Sequence, residues 1–316
     1  MNPKTRFVRS LFLCALICSF PGVHRLAARG QADESRALTS GGIVRTYVVH
    51  IPARPASFHR PALVIVLHGA GGTGMGMVKM TRGEFDSLAD RDGALVAYPD
   101  GIDRHWNDGR SDRESNIDDV GFLTTLMDTL LRMGHGDPRR VYVTGMSNGA
   151  MMTYRMGCER SRMLAAIAPV DGGIPEELAP RCSPEAPLPV LAINNVDDPL
   201  VHWSGGEVTG PFGMKKLGRV LSPEQSVEFW VTHNACAPTP VVTEEPDADP
   251  KDGTRVRREY HGHGEGGTEV ILYAIEGGGH TWPGGSQYLP AFIVGKTSRD
   301  IDACSLIWRF FMEHVR

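Results

Sequence analysis

Ser147, Asp198 and His280 are the residues of this chain whose types and settings suit nucleophilic acyl transfer. A serine hydroxyl attacks a carbonyl poorly until a base takes its proton. An imidazole, near-neutral in pKa, can take that proton and hand it to a leaving alcohol. A carboxylate on the other ring nitrogen fixes the tautomer and stabilises the cation that forms. Ser147 sits in Gly145-Met146-Ser147-Asn148-Gly149, after Val141-Tyr142-Val143-Thr144 and before Ala150-Met151-Met152-Thr153-Tyr154-Arg155-Met156. β-Branched and aromatic residues precede the serine and good helix formers without proline follow it, so a strand is expected to break into a helix there. Such an elbow holds the serine backbone in a sparsely populated conformation and projects its hydroxyl into a cleft. The glycines two residues either side are expected because a Cβ would collide with the neighbouring strand and helix. With 37 Gly in 316 residues, a shuffled chain carries some G-x-S-x-G about one time in four, so the context and not the pentapeptide carries the assignment. The bland alternative is a Ser/Asn turn between two elements.

Asp198 lies in Asn194-Asn195-Val196-Asp197-Asp198-Pro199, after an apolar run, and His280 in Gly277-Gly278-Gly279-His280-Thr281-Trp282-Pro283-Gly284-Gly285, after the last one. Asp197 is the rival carboxylate. Proline after Asp198 disfavours a helical conformation and stiffens that turn, which favours Asp198. Either aspartate could instead cap the turn, and His280 could be a satisfied loop histidine. The chain order Ser…Asp…His is that of α/β-hydrolases and differs from the orders of chymotrypsin-like and subtilisin-like proteases. An oxyanion hole completes the set: the N–H of Asn148 supplies one donor and that of Ala70 or Gly71, in His68-Gly69-Ala70-Gly71-Gly72, the other. A phosphate loop is the competing reading of these glycines, but no G-K-[ST] or G-x-G-x-x-G opens a helix here. His261-x-His263 with Glu265 lacks a convincing third zinc ligand, so neither metal nor cofactor is expected. Met75, Met77 and Met80 read as packing.

Several elements must position these groups. Leu63 to Leu67, Ala94 to Tyr98, Val141 to Thr144, Ala165 to Ala168 (ended by Pro169), Val190 to Asn194 and Glu269 to Ile275 read as strands, and so does Ile43 to Ile51. Val78 to Arg91, Ile117 to Arg132 and Asp302 to Val315 read as helices; the last has an apolar face of Leu306, Ile307, Phe310 and Phe311. Strands alternating with helices imply an α/β fold, a mainly parallel central sheet with helices on both faces. Catalytic groups then sit on loops at the carboxyl ends of strands. Residues 29–42 read as a small, polar, flexible segment, Glu244 to Gly253 as an acidic surface loop, and 43–316 as one catalytic domain.

Met1 to Ala28 reads as an export signal: Lys4, Arg6 and Arg9, then apolar Leu11 to Phe20, then Leu26-Ala27-Ala28 as a cleavage site. The apolar stretch is shorter than the roughly 20 residues that span a bilayer. Cys14 and Cys18 suggest lipidation, but neither follows a small residue, so release from the membrane is favoured. Residues 1–28 hold Lys4, Arg6, Arg9 and Arg25 and no acid, so their removal takes the formal charge from −4 to four units lower. A net acidic chain without a basic run gives no support for nucleic-acid binding. Export permits disulfides. Cys158, Cys182, Cys236 and Cys304 remain, and Cys158–Cys182 is favoured because one ends the helix after the elbow and the other lies in the Pro-rich loop soon after. Whether Cys236 and Cys304 pair is open.

From about Arg45 to the carboxyl terminus the chain resembles the polyhydroxybutyrate depolymerase/feruloyl esterase group of secreted α/β-hydrolases. The marks are Leu67-His68-Gly69, Tyr98-Pro99-Asp100-Gly101, Trp106-Asn107-Asp108-Gly109-Arg110, Asp118-Asp119-Val120-Gly121-Phe122, the elbow with Ala150-Met151-Met152, Asp198-Pro199-Leu200-Val201, and Gly278 to Gly285. The resemblance implies a cofactor-free serine esterase acting on polyester, feruloyl or acetyl esters. Three departures stand out. The family's His-Gly-Thr-type turn is replaced by Asn194-Asn195-Val196, whose asparagines tolerate a left-handed turn. A family cysteine near His261–His263 is missing, which leaves Cys236 without the partner the resemblance implies. The linker and substrate-binding domain common in depolymerases of crystalline polymer are also missing, which favours soluble or plant-cell-wall esters. His68, Trp106 and Trp282 are candidate substrate contacts, the tryptophans as an aromatic wall or else as core. Arg110 steers a carboxylate or pairs with Asp118 or Asp119. The competing functions are a serine peptidase or acyltransferase on the same scaffold and a binding protein without catalysis.

Overall fold

In the computed structural model, residues 34–52, 60–110 and 117–316 are described; the expected export signal over 1–28 lies outside them. The strands, in chain order, are β1 (Glu34–Ser40), β2 (Ile43–His50), β3 (Leu63–Leu67), β4 (Leu95–Pro99), β5 (Val141–Met146), β6 (Ala166–Val170), β7 (Val190–Asn195), β8 (Gly206–Thr209), β9 (Lys216–Val220), β10 (Val241–Glu244), β11 (Arg255–His261) and β12 (Val270–Glu276). The helices are α1 (Gly74–Met80), α2 (Glu84–Asp92), α3 (Asp119–Met133), α4 (Asn148–Arg160), α5 (Pro223–His233), α6 (Ala291–Val294) and α7 (Ala303–Glu313).

The nearly continuous apolar runs fill the centre of one sheet ordered β1-β2-β4-β3-β5-β6-β7-β12-β11-β10. The pairs from β4 through β12 are parallel, and the two strands at each margin are antiparallel. Every residue of β3 to β7 is buried, as expected of strands covered on both faces. One cover combines α3, α4 and α5, through Leu123, Met152 and Trp230 among others. The other combines α1, α2 and α7, through Met77, Phe85, Ile307 and Trp308. Burying each such side chain contributes about 1.5–3 kcal/mol. The mainly parallel sheet covered on both faces is what the strand and helix alternation implies, and the architecture is that of an α/β-hydrolase.

Several expectations are corrected. The flexible segment over 29–42 contains strand β1, with alternating burial, which pairs with β2 in full register from Glu34↔Val49 to Ser40↔Ile43. Gly41 and Gly42, at φ 55° and 80°, form the two-residue turn that a hairpin of this twist needs. The single helix expected over Val78 to Arg91 is two, because Arg82 and Gly83 take φ 59° and 69° between α1 and α2. Pro169 lies inside β6 and does not end it. Asn194 and Asn195 belong to β7 and are not left-handed. Cys158 and Cys182 are disulfide-linked, closing the end of α4 onto its following loop, a closure typically worth about 3 kcal/mol. Cys236 and Cys304 are free and buried.

Candidate active site

Ser147 stands between β5 and α4 with φ 59° and ψ −121°. The glycines beside it are required: a Cβ on Gly145 would lie 2.7 Å from the Leu67 Cβ, and one on Gly149 2.5 Å from the Leu67 carbonyl oxygen. The elbow therefore rests directly against the end of β3. Ser147 and His280 line one cavity of about 390 Å³, together with Gly69 to Thr73, Met77, Met80, Met146, Leu200, Val201 and Tyr288. The β8–β9 hairpin supplies a further wall through Val208, Thr209 and Leu217, and among the described residues no Lys, Arg, Asp or Glu lines the cavity.

His280 and Asp198 meet behind that cavity. The His280 Nδ1–H donates to Asp198 Oδ2 at 2.6 Å, leaving Nε2 for the cavity side. Asp198 Oδ1 accepts from the N–H groups of Leu200 and Val201 at 2.8 and 3.0 Å, so both oxygens are fixed. Asp197 turns away and accepts from Gly277 N–H at 2.6 Å. Of the two adjacent carboxylates, the geometry joins Asp198 to the imidazole. His280 is 4 % exposed. Its burial favours the neutral ring, but the Asp198 charge and hydrogen bond, with the nearby Asp171, outweigh burial and raise its pKa above the ordinary 6.5. A base needs the neutral ring. With this imidazole as the base, kcat/KM is therefore expected to be high at alkaline pH and to fall through an acid limb above pH 6.5. A pH–rate profile with its limb well below that value would contradict the coupling.

Of the expected oxyanion donors, Asn148 N–H is the first of α4 and has no acceptor within the helix. The Asn148 side chain is clamped: its Oδ1 accepts from Trp106 N–H at 2.8 Å, and its Nδ2 donates to Trp106 O at 3.0 Å and Asp108 Oδ2 at 2.6 Å. Gly71 is corrected. Its N–H donates to Arg104 O at 2.8 Å, so of the pair offered it is Ala70 whose N–H carries no hydrogen bond among the described residues. A Cβ on Gly69 would stand 3.4 Å from the Ser147 Cβ, which sets this turn against the elbow.

The three expected substrate contacts are revised. His68 does line the cavity, but both ring nitrogens are engaged within the protein: Nδ1–H donates to Gly69 O at 2.7 Å and Nε2 accepts from Gly101 N–H at 2.9 Å. Burial lowers its pKa against the pull of the Gly69 carbonyl. It is a neutral pin for the glycine turn. Trp106 is 1 % exposed and its Nε1–H donates to His68 O at 2.9 Å. Trp282 is fully buried against Phe85, and its Nε1–H donates to Cys304 Sγ at 3.2 Å. Neither tryptophan lines the cavity, because each is consumed by packing that holds a loop in place. Trp282→Phe is accordingly expected to cost about 2 kcal/mol of stability with KM within twofold; a changed KM at unchanged stability would return this ring to the substrate's side. Arg110 pairs with Asp108 at 2.7 Å, with neither expected aspartate, and also donates to Leu217 O in β9. Asp119 instead pairs with Arg45 at 2.6 Å.

Asp171, at the end of β6, escaped the sequence reading. It is fully buried, at φ 50°, and it has oxygens within 4.8 Å of ligand atoms of Asp198 and His280. Burial, then the Asp198 charge, push its pKa up, against the His280 charge and the Asn195 donors, which favour the ionised form. The signal was an aspartate before Gly172-Gly173 at the carboxyl end of a buried strand. Tyr288 and the β8–β9 hairpin were also missed as cavity walls. His261, offered as a zinc ligand, has its Nδ1 on Ala237 O at 2.8 Å.

The chain is 30% identical over 306 residues to a protein of Nocardia uniformis subsp. tsuyamanensis that carries the name esterase NocK, covering 93% of this chain and 86% of the relative. It is 29% identical over 196 residues to feruloyl esterase B of Piromyces equi, covering 60% of this chain and only 34% of that relative's length. Among solved structures, acetyl xylan esterase from Aspergillus awamori superposes with a TM-score of 0.53 at 15% identity, over 78% of this chain and 94% of that one; at that identity the likeness speaks for the fold. No family model matches the chain.

Proposed function

Because the chain belongs to the polyhydroxybutyrate depolymerase/feruloyl esterase family of α/β-hydrolases and is a carboxylic ester hydrolase, we propose that it works as an exported serine esterase through Ser147, His280 and Asp198. In this reading Ser147 Oγ attacks the ester carbonyl while His280 Nε2 takes its proton. The oxyanion that forms is met by the N–H groups of Asn148 and Ala70, each such donor typically worth about 3 kcal/mol of barrier. His280 then protonates the leaving alcohol, and an acyl-enzyme on Ser147 remains. Water, activated by the same imidazole, attacks the acyl-enzyme and returns the serine. Asp198 holds the Nδ1–H tautomer and offsets the imidazolium charge. The observation that carries this reading is the 2.6 Å His280–Asp198 hydrogen bond behind the cavity that Ser147 and His280 both line.

The cavity wall supports neutral acyl groups, since eight methionine, leucine and valine residues line it and, among the described residues, no Lys, Arg, Asp or Glu does. Acetyl, feruloyl or short hydroxyalkanoyl esters suit such a wall. Rates on methyl ferulate, acetylated xylan and short polyhydroxybutyrate oligomers would rank them. Export is supported by the basic and apolar start of the chain and by the Cys158–Cys182 disulfide; among the described residues, no helix is long and apolar enough to cross a membrane. The deciding experiment is a fluorophosphonate probe together with 4-nitrophenyl acetate and peptide anilides. Covalent labelling at Ser147 with turnover of the ester is the expected result. Labelling elsewhere, or turnover of the anilides alone, would overturn the assignment.

A further inference from the structure

Behind the imidazole lies a second carboxylate that the proposed acyl-transfer cycle does not use. Asp171 closes β6, and its Oδ1 accepts from Asn195 N–H at 2.9 Å and from Asn195 Nδ2 at 2.9 Å. Its Oδ2 accepts from the same Nδ2 at 2.8 Å and from Thr281 N–H at 3.1 Å. Asn195 ends the strand that leads into Asp198, and Thr281 directly follows His280. The Asn195 Nδ2 also reaches Thr281 O at 3.2 Å. One buried side chain thus ties together the two loops that carry the base and its carboxylate partner.

Two features set this carboxylate apart from an ordinary structural staple. Its backbone is left-handed at φ 50°, a conformation that a non-glycine residue holds only where the surrounding structure over-determines it. Every hydrogen bond to its side chain among the described residues comes from a donor, and the donors reach both oxygens, so an amide of the same shape would turn an NH2 group toward an N–H. The site is built for a two-oxygen acceptor. We propose that Asp171 is a positioning residue for ester hydrolysis, holding the Asp198 and His280 loops in register and placing a second negative charge where His280 senses it. The proposal rests on His280 being the general base.

The titratable groups around it are Asp198 on the loop after β7, His280 on the loop after β12, and Tyr288 beyond it, whose phenol burial and both carboxylates push upward in pKa. Asp198 is fixed by its own donors and by His280 Nδ1. Among interacting groups this close, protons leave in steps that belong to the cluster. When Asp171 is neutral, His280 loses part of the attraction that raises its pKa.

Asp171→Asn tests this. The acid limb of kcat/KM on 4-nitrophenyl butyrate is expected to move to lower pH by about half a unit or more, with kcat down about tenfold from displaced loops and KM within twofold. A merely structural staple would lower the melting temperature without moving the limb. A shift of less than half a unit, or one toward higher pH, therefore overturns the proposal whatever happens to stability. Should Asp171→Asn not fold, the wild-type enzyme labelled with ¹⁵N-histidine decides: the His280 ring signals are expected to titrate in two steps, and a single step overturns the idea. Labelling and turnover at Ser147 in the wild type test the esterase reading separately, so the two can fail independently.

Discussion

Replacing Ser147 by alanine is expected to lower kcat on 4-nitrophenyl esters by about 10⁶-fold, while leaving the fold intact. The size follows from what is lost: without the hydroxyl no acyl-enzyme forms, and the imidazole has no nucleophile to activate. What survives comes from the oxyanion donors and substrate binding alone, about 10³–10⁴ over water. The fold should tolerate the change. Ser147 sits at the helix N-cap without a side-chain capping bond, so alanine removes no cap, and at φ 59° it is strained as serine already is. Turnover measured beside thermal denaturation checks both halves. A variant that kept even a tenth of wild-type turnover would place the nucleophile elsewhere.

Asp198→Asn is expected to lower turnover by about 10⁴-fold, and Asp197→Asn by less than tenfold. The amide oxygen of the first variant will take the Oδ1 place, because Leu200 and Val201 present N–H groups there. Its NH2 then faces His280 Nδ1. To avoid two opposed donors, the imidazole must move its proton to Nε2, and it can no longer accept from Ser147. Asp197, by contrast, accepts only from the Gly277 N–H among the described residues, away from the imidazole. Kinetics of the two variants side by side would settle which aspartate matters; equal losses, or the reverse ranking, would sink the assignment of roles.

How much was readable in advance depended on where the information lay. The central strands were legible because burial on both faces demands continuous apolar runs such as Leu63–Leu67. Of the four strands at the margins only β2 was. β1 is Glu-Ser-Arg-Ala-Leu-Thr-Ser, whose burial alternates though its residue types do not, and β11 is Arg-Val-Arg-Arg-Glu-Tyr-His with only its second and last residues buried, since a strand near the sheet margin owes more to its neighbours than to its own composition. The capping box of Ser222 and Gln225 announces α5 and could have been used. Trp106 and Trp282 illustrate the opposite failure: a tryptophan beside a functional motif has the same letters whether its ring faces substrate or core.

The amino-acid order alone determined the elbow, the Ser…Asp…His sequence and the alternation that builds a parallel sheet, because each is a local demand of backbone sterics or of side-chain period. Tertiary structure decided everything that depends on which groups converge: that Asp198 and not Asp197 meets His280, that Arg104 takes the Gly71 N–H, and that Asp171 joins two loops more than twenty residues and more than a hundred residues away from it in the chain. Hydrogen bonds are satisfied by distance and direction in space, and neither is written in the spacing of residues along a chain.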